Sequence, residues 1–305
     1  MNLKTKGFIY GIIAAVTYGM NPLFALPLYK EGIGTDSVLF YRYLLAIALL
    51  GVLMKWKKIP FKVNKSDLLP LGILGLLFSF SSLFLFESYN YMDAGIASTI
   101  LFIYPVMVAV IMGVFFKEKI TLLTMGCIAL ALFGIGLLYE GPGGKTLSTT
   151  GIVFVLLSSL TYAVYMVSLN KSKVREMPVI KLTFYALLFG ILIYVVRLAH
   201  GDGLQMLTTL PQWINAASLG LFPTVISLIM ITLAIQYIGS TPTAILGALE
   251  PVTAVFFGVL IFGEQLTPRI LLGIILILVA VTLIIAGKPM VKLIKKKITS
   301  LSILS

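Results

Sequence analysis

Charge is scarce in this sequence of 305 residues: Asp, Glu, Lys and Arg together make up 11%, less than half the usual share in soluble domains. A soluble globule still needs a wet exterior, so this composition excludes a water-soluble domain. The single cysteine, Cys127, excludes an internal disulfide, and the single histidine, His200, excludes a Cys/His metal set. No Gly-rich phosphate loop and no aromatic–basic RNA-binding signature occurs, so the net charge of +12 does not point to nucleic acid. An intramembrane enzyme would need a nucleophile–base pair, a metal triad or a carboxylate dyad at mid-depth, and none is found. No cofactor is expected.

What the chain does have is long apolar runs. Apolar types make up 59% and the mean hydropathy is +1.07. A bilayer-spanning helix needs about 20 predominantly apolar residues. Cutting at charges and Gly/Pro clusters predicts ten spans, near 7–29, 36–54, 68–92, 94–116, 120–139, 150–170, 179–199, 213–237, 241–262 and 268–287. Their continuous apolar character fits helices rather than barrel strands. The expected fold is therefore all-α, a polytopic membrane protein with ten transmembrane helices. The first run is too long for a signal-peptide core and is read as a retained helix.

Lys and Arg orient these spans. With the N-terminus in the cytoplasm, eighteen fall on the inner side, in the clusters at 4–6, 55–65, 117–119, 171–181 and 288–297. Four fall outside: Lys30, Lys145, Arg197 and Arg269. The positive-inside rule thus predicts a multi-pass protein of the cytoplasmic membrane with both termini inside. The basic stretch 288–305 is read as a cytoplasmic tail, lying on the inner leaflet or solvated.

The two halves share a register. Tyr91, Pro105, Glu118 and Thr121 match Tyr237, Pro251, Glu264 and Thr267 at one offset, which also sets Asn90 on Gln236 and Tyr104 on Glu250. Gly7, Thr17 and Tyr18 match Gly151, Thr161 and Tyr162 at a slightly smaller offset. The division is 1–140 and 146–287, with five helices in each. Five is odd, so the second copy enters the membrane from the opposite side. In carriers, inverted repeats place the solute site near the midplane between the halves.

The run Leu249-Glu250-Pro251-Val252 with Gly263-Glu264-Gln265-Leu266-Thr267 resembles the second repeat of an EamA-type carrier of the drug/metabolite transporter superfamily. Tyr104-Pro105-Val106 with Lys117-Glu118-Lys119-Ile120-Thr121 is similar to the first, and Arg42 fits the same pattern. The resemblance implies a ten-helix carrier, often an exporter of amino acids or other small metabolites. A lipid flippase or a channel-like permease is the alternative.

The candidate site residues follow from depth and polarity. Glu250 lies some eleven residues past Gly239, ~16 Å along a helix and near the middle of a ~30 Å core. A carboxyl there is placed to couple a proton or bind a cationic group rather than face lipid. Pro251 and Pro105 are expected to kink their helices, freeing carbonyls such as that of Gly247. Arg42 and Glu87 sit at similar depth and are expected to pair, as a structural ion pair, a gate or a carboxylate-binding arginine. Tyr18, Asn21, Asn90, Tyr104, Tyr162, Tyr165 and Gln236 are polar or aromatic candidates for the cavity lining. Tyr91 and Tyr237 serve as lining or as interface anchors. Glu118 and Glu264 are expected as helix-end anchors, with Thr121 and Thr267 as caps. Helices five and ten, the most purely apolar, are placed at the periphery or at a homodimer contact.

Overall fold

The structure is a computed structural model, and it describes residues 3–116, 122–138, 148–201, 203–238, 243, 246–247, 249–280 and 282–283. The described residues form helices and no strands. Seven helical stretches are long and apolar enough to cross a membrane: Leu3–Lys30, Thr35–Trp56, Lys65–Ser88, Ala94–Phe115, Thr149–Lys171, Val179–His200 and Leu210–Ile238. The predicted spans near 120–139, 241–262 and 268–287 fall on shorter apolar helices, Leu122–Leu138, Leu249–Phe262 and Pro268–Ala280. Glu118, Thr121, Lys145 and the basic stretch 288–305 lie outside the described residues, as does the side chain of Cys127.

In chain order the helices are α1 (Leu3–Gly19), α2 (Asn21–Lys30), α3 (Thr35–Trp56), α4 (Lys65–Ser88), α5 (Ala94–Leu101), α6 (Tyr104–Phe115) and α7 (Leu122–Leu138). There follow α8 (Thr149–Lys171), α9 (Val179–His200), α10 (Leu210–Gly220), α11 (Ser227–Ile238), α12 (Leu249–Phe262) and α13 (Pro268–Ala280). A six-residue π-turn, Leu221–Ile226, joins α10 to α11. Large apolar side chains point outward on many of them, with Trp56, Leu69, Leu192 and Leu260 more than half exposed. Such an apolar exterior suits acyl chains, not water.

Prolines break the long stretches. Pro22 is the second residue of α2 and Pro105 the second of α6. Proline has no N–H, so Leu101 loses its helical donor, and its carbonyl instead accepts from Ser159 Oγ of α8 at 3.0 Å. Ahead of α12, Pro251 frees the Gly247 carbonyl in the same way, and the Glu250 N–H donates to it at 2.9 Å.

The packing repeats when the two halves are exchanged. α4 lies on α8 as α11 lies on α1, α4 on α9 as α10 on α3, and α6 on α8 as α12 on α1. The pair α3–α9 maps onto itself. Individual contacts repeat too. Ser81 Oγ donates to the Ser158 carbonyl at 3.1 Å, and Ser227 Oγ donates to the Ala14 carbonyl at 3.0 Å. Gly7 leaves no room for a Cβ beside Tyr237 and Ile238; Gly151 leaves none beside Tyr91 and Met92. Small residues let these helices touch, since lipid provides no hydrophobic drive between them.

The helix ends gather on two faces. One carries the ends around residues 30–36, 87–95, 197–212 and 262–267, joined by contacts such as Arg197–Asp36 and Gly34–Gln205. The other carries the ends around 56–65, 171–181 and 236–238, joined by Lys181 Nζ to the Lys62 carbonyl and Gln236 Nε2 to the Arg175 carbonyl.

The tightest crossing is that of α4 and α9. A Cβ on Gly190 would strike Ser79 Oγ and lie 2.9 Å from the Gly75 carbonyl, whereas nothing lies within 4 Å of one on Gly72. Gly190→Leu is expected to destabilise the protein by about 1–3 kcal/mol and lower its melting temperature in detergent. Gly72→Leu, one face away, should leave the melting curve unchanged.

Candidate functional site

Tyr18 is the second-last residue of α1, and Tyr162 stands mid-way along α8. Their rings stack with centroids 6.0 Å apart and planes 11° apart. These are matched positions of the two halves. Equivalent residues can touch each other only where the axis relating the halves passes between them, so this stack marks the junction. Tyr104, at the start of α6, sets its ring edge-on to Tyr162 at 4.8 Å, and Tyr165 stacks on Tyr162 at 6.0 Å.

Glu250, the position matched to Tyr104, opens α12. Its carboxyl lies within electrostatic range of the Tyr18, Tyr104 and Tyr162 hydroxyls. Gly19 packs onto the Glu250 carbonyl and Thr253, which pins α1 to the first turn of α12. Both matched pairs, Tyr18/Tyr162 and Tyr104/Glu250, therefore meet in one place, and all four side chains are buried.

Arg42 of α3 is fully buried. The expected pairing with Glu87 does not form. Arg42 instead binds the π-turn. Pro223 cannot donate to the Leu219 carbonyl, so Thr224 Oγ1 does, at 2.9 Å, and the turn widens. Thr224 Oγ1 also accepts from Arg42 Nε at 2.6 Å, and the Pro223 carbonyl accepts from Nη2 at 3.5 Å. The guanidinium lies over the Phe86 ring, 5.1 Å from its centroid, a placement that eases burial of the cation. Tyr18 is within electrostatic range of both Arg42 and Glu250.

The buried polar atoms without a hydrogen-bond partner among the described residues gather on this set. They include Asn21 Oδ1 and Nδ2, Arg42 Nη1, Tyr104 OH and Glu250 Oε2. Buried polar groups are nearly always paired, because each unpaired one costs about 1–3 kcal/mol. A concentration of them at the junction suits a site that receives a polar solute.

Three expected site residues stand elsewhere. Glu87 pairs with Arg197 at 3.1 Å, and Arg197 also bonds Asp36 at 2.5 Å, on the rim of the first face. Equal depth had suggested Arg42 as its partner, but Arg42 points into the bundle while Glu87 reaches the rim. Asn90 donates to Thr35 Oγ1 and Glu87 on that rim, because α4 ends at Ser88 and leaves Asn90 in the turn. Gln236 bonds the Arg175 carbonyl on the opposite face. Tyr91 and Tyr237 are both exposed, as interface anchors are. Thr224, Asp36 and Arg197 were not anticipated. A proline followed by threonine inside an uncharged run is the signal that marks the first.

This arrangement, a lipid-facing helical exterior around buried charged and tyrosine side chains at a junction of two halves, defines a multi-pass membrane transporter. The chain belongs to the EamA-like transporter family, whose model matches it twice, over residues 5–140 and 149–286. It is 26% identical to the uncharacterized transporter YcbK of Bacillus subtilis over 85% of this chain and 86% of that one. It is 24% identical to the uncharacterized transporter YxxF of the same organism over 92% and 89%. A solved crystal structure shares the fold, with a TM-score of 0.68 and 14% identity over 92% of this chain and 98% of its own. The family and these relatives point to transport rather than enzymatic catalysis.

Thr224→Val should strand both Arg42 Nε and the Leu219 carbonyl, at a cost of about 1–3 kcal/mol. Thr224→Ser, which keeps the hydroxyl, should restore most of it. Thermal unfolding of the purified variants reads both.

Proposed function

We propose that this protein is a secondary carrier that moves a small polar metabolite, such as an amino acid, across the cytoplasmic membrane by alternating access, with export as its direction. It crosses the membrane ten times as two five-helix halves of opposite orientation. The basic face at 56–65 and 171–181 lies in the cytoplasm with both termini. The solute sits at the junction, where the stack of Tyr18 on Tyr162 carries the reading: a contact between matched residues puts the site between the parts that move.

The site's chemistry fits such a solute. Arg42 Nη1 is available to a carboxylate and Glu250 Oε2 to an ammonium group or a proton. The rings of Tyr18, Tyr104 and Tyr162 offer apolar faces and hydroxyls between them. A buried carboxyl with no cationic partner among the described residues has a cost of a few kcal/mol in a membrane. That cost falls when Glu250 is protonated or meets a cationic group. Loading and release would then follow the protonation of Glu250 as each side opens in turn.

The test is counterflow in proteoliposomes. A panel of amino acids, sugars, nucleosides and amines is first screened by thermal shift, because a ligand that binds only the folded state stabilises it. Each ligand found is then loaded inside and its labelled form added outside. Transient accumulation of label is expected of a carrier; simple equilibration would mean a channel. Glu250→Gln should slow exchange about tenfold or more and abolish its pH dependence. Normal exchange with an unchanged pH profile would rule Glu250 out.

A further inference from the structure

The end of α12 is fastened to the start of α5 by one side chain. Gly263, with φ of +70°, turns the chain after Phe262, and the Glu264 N–H returns to the Gly258 carbonyl at 3.0 Å. This holds the Glu264 carboxyl against the α5 N-terminus. Oε1 accepts from the Ala94 N–H at 2.9 Å and Oε2 from the Gly95 N–H at 3.1 Å. The first N–H groups of a helix have no partner within it, and the helix dipole adds attraction for a carboxylate. Two glycines make room: a Cβ on Gly95 would lie 2.6 Å from Oε2, and one on Gly258 would strike the same oxygen. The same Gly95 Cβ would also lie 3.2 Å from Val255 Cα, so the two helices touch directly.

The seam so closed leads to the candidate site. α5 and α12 run antiparallel, the Glu264–Gly95 contact at one end. At the other end α5 passes through a short break into Tyr104, and α12 begins beside Glu250. α12 is 14 residues long, ~20 Å at 1.5 Å per residue, so the fastening stands one helix length from the buried carboxyl.

Resting on the alternating-access reading above, we propose that Glu264 is the outer latch of the transport cycle: its carboxyl ties α12 to α5 and must let go before the seam can open the Tyr104–Glu250 junction to the outside.

The latch responds to protons. Burial, then the neighbouring Asp93, push the Glu264 carboxyl up to about 7, against the opposing effect of the Gly95 and Ala94 N–H bonds. Burial raises Asp93 as well. The other charged or titratable groups around it are Tyr89 before α5, Lys30 of α2 over the Phe262 ring, and Arg269 at the start of α13, whose Nε donates to the Leu137 carbonyl. A carboxyl raised in the latched state and ordinary when released binds its proton more tightly while latched. Acid therefore favours the closed outer seam, and that preference is lost as pH rises through about 7.

The experiment uses Val255→Cys, a seam position, in a Cys127→Ser background in proteoliposomes. A membrane-impermeant cationic methanethiosulfonate is added outside, and each rate is divided by that of the exposed position Met206→Cys to cancel thiol ionisation. The normalised rate should rise several-fold from about pH 6 to about pH 8. Glu264→Ala should raise it about tenfold at the lower pH. Glu264→Gln, a neutral mimic of the protonated latch, should stay low at every pH. Labelling of Glu264→Ala no faster than the parent, or a pH response that survives in Glu264→Gln, would overturn the latch. Should Glu264→Ala not fold, the Glu264→Gln profile decides alone. Counterflow on the same vesicles separates the two readings: a parent that labels as stated but shows no counterflow fails as a carrier and still has the latch.

Discussion

A guanidinium and a carboxyl are enclosed in a bundle whose outside faces lipid, and they do not neutralise each other. Arg42 is spent on the π-turn, and among the described residues no cation acts on Glu250. Neither can move toward lipid, where exposure would cost several kcal/mol. The rest of the structure works around this constraint. Pro223 and Thr224 build a receptor for Arg42, Phe86 lies under its guanidinium, Gly19 lets α1 close over the first turn of α12, and three tyrosines surround Glu250. Each of these features makes sense only because a charged or polar group must be held away from lipid without being fully paired.

The same constraint explains why the halves meet as they do. Two copies of a helix set can share one polar site only if each brings the corresponding residues to their common axis. Tyr18 and Tyr162 do so by stacking, while Tyr104 and Glu250, matched in position, differ in chemistry. The duplicated scaffold thus carries an acid on one side alone. The serine bridges, Ser81 to Ser158 and Ser227 to Ala14, show the scaffold keeping its symmetry while the site departs from it.

Much of this was legible in the sequence, and the failures have physical causes. Apolar run length located the helical stretches, since lipid leaves the backbone no alternative to internal hydrogen bonding. Proline chemistry located the interruption before Pro105, and depth alone marked Glu250 as buried. Depth says nothing about direction around a helix, however. It therefore paired Arg42 with Glu87, which faces Arg197; polarity, in turn, put Asn90 and Gln236 in the interior although both sit at helix ends. The π-turn escaped because it needs Pro223, Thr224 and a distant arginine together, and the Glu264 contact escaped because its partners are backbone N–H groups some 170 residues away in sequence.

The most direct measurement joins positions 18 and 162 in a Cys127→Ser background, with cysteines at both and a short bifunctional thiol reagent. Stacked rings on an axis between moving halves predict an intramolecular cross-link that arrests solute exchange and is slowed by bound solute. No cross-link in a folded protein, or a cross-link that leaves exchange at full rate, would contradict the account.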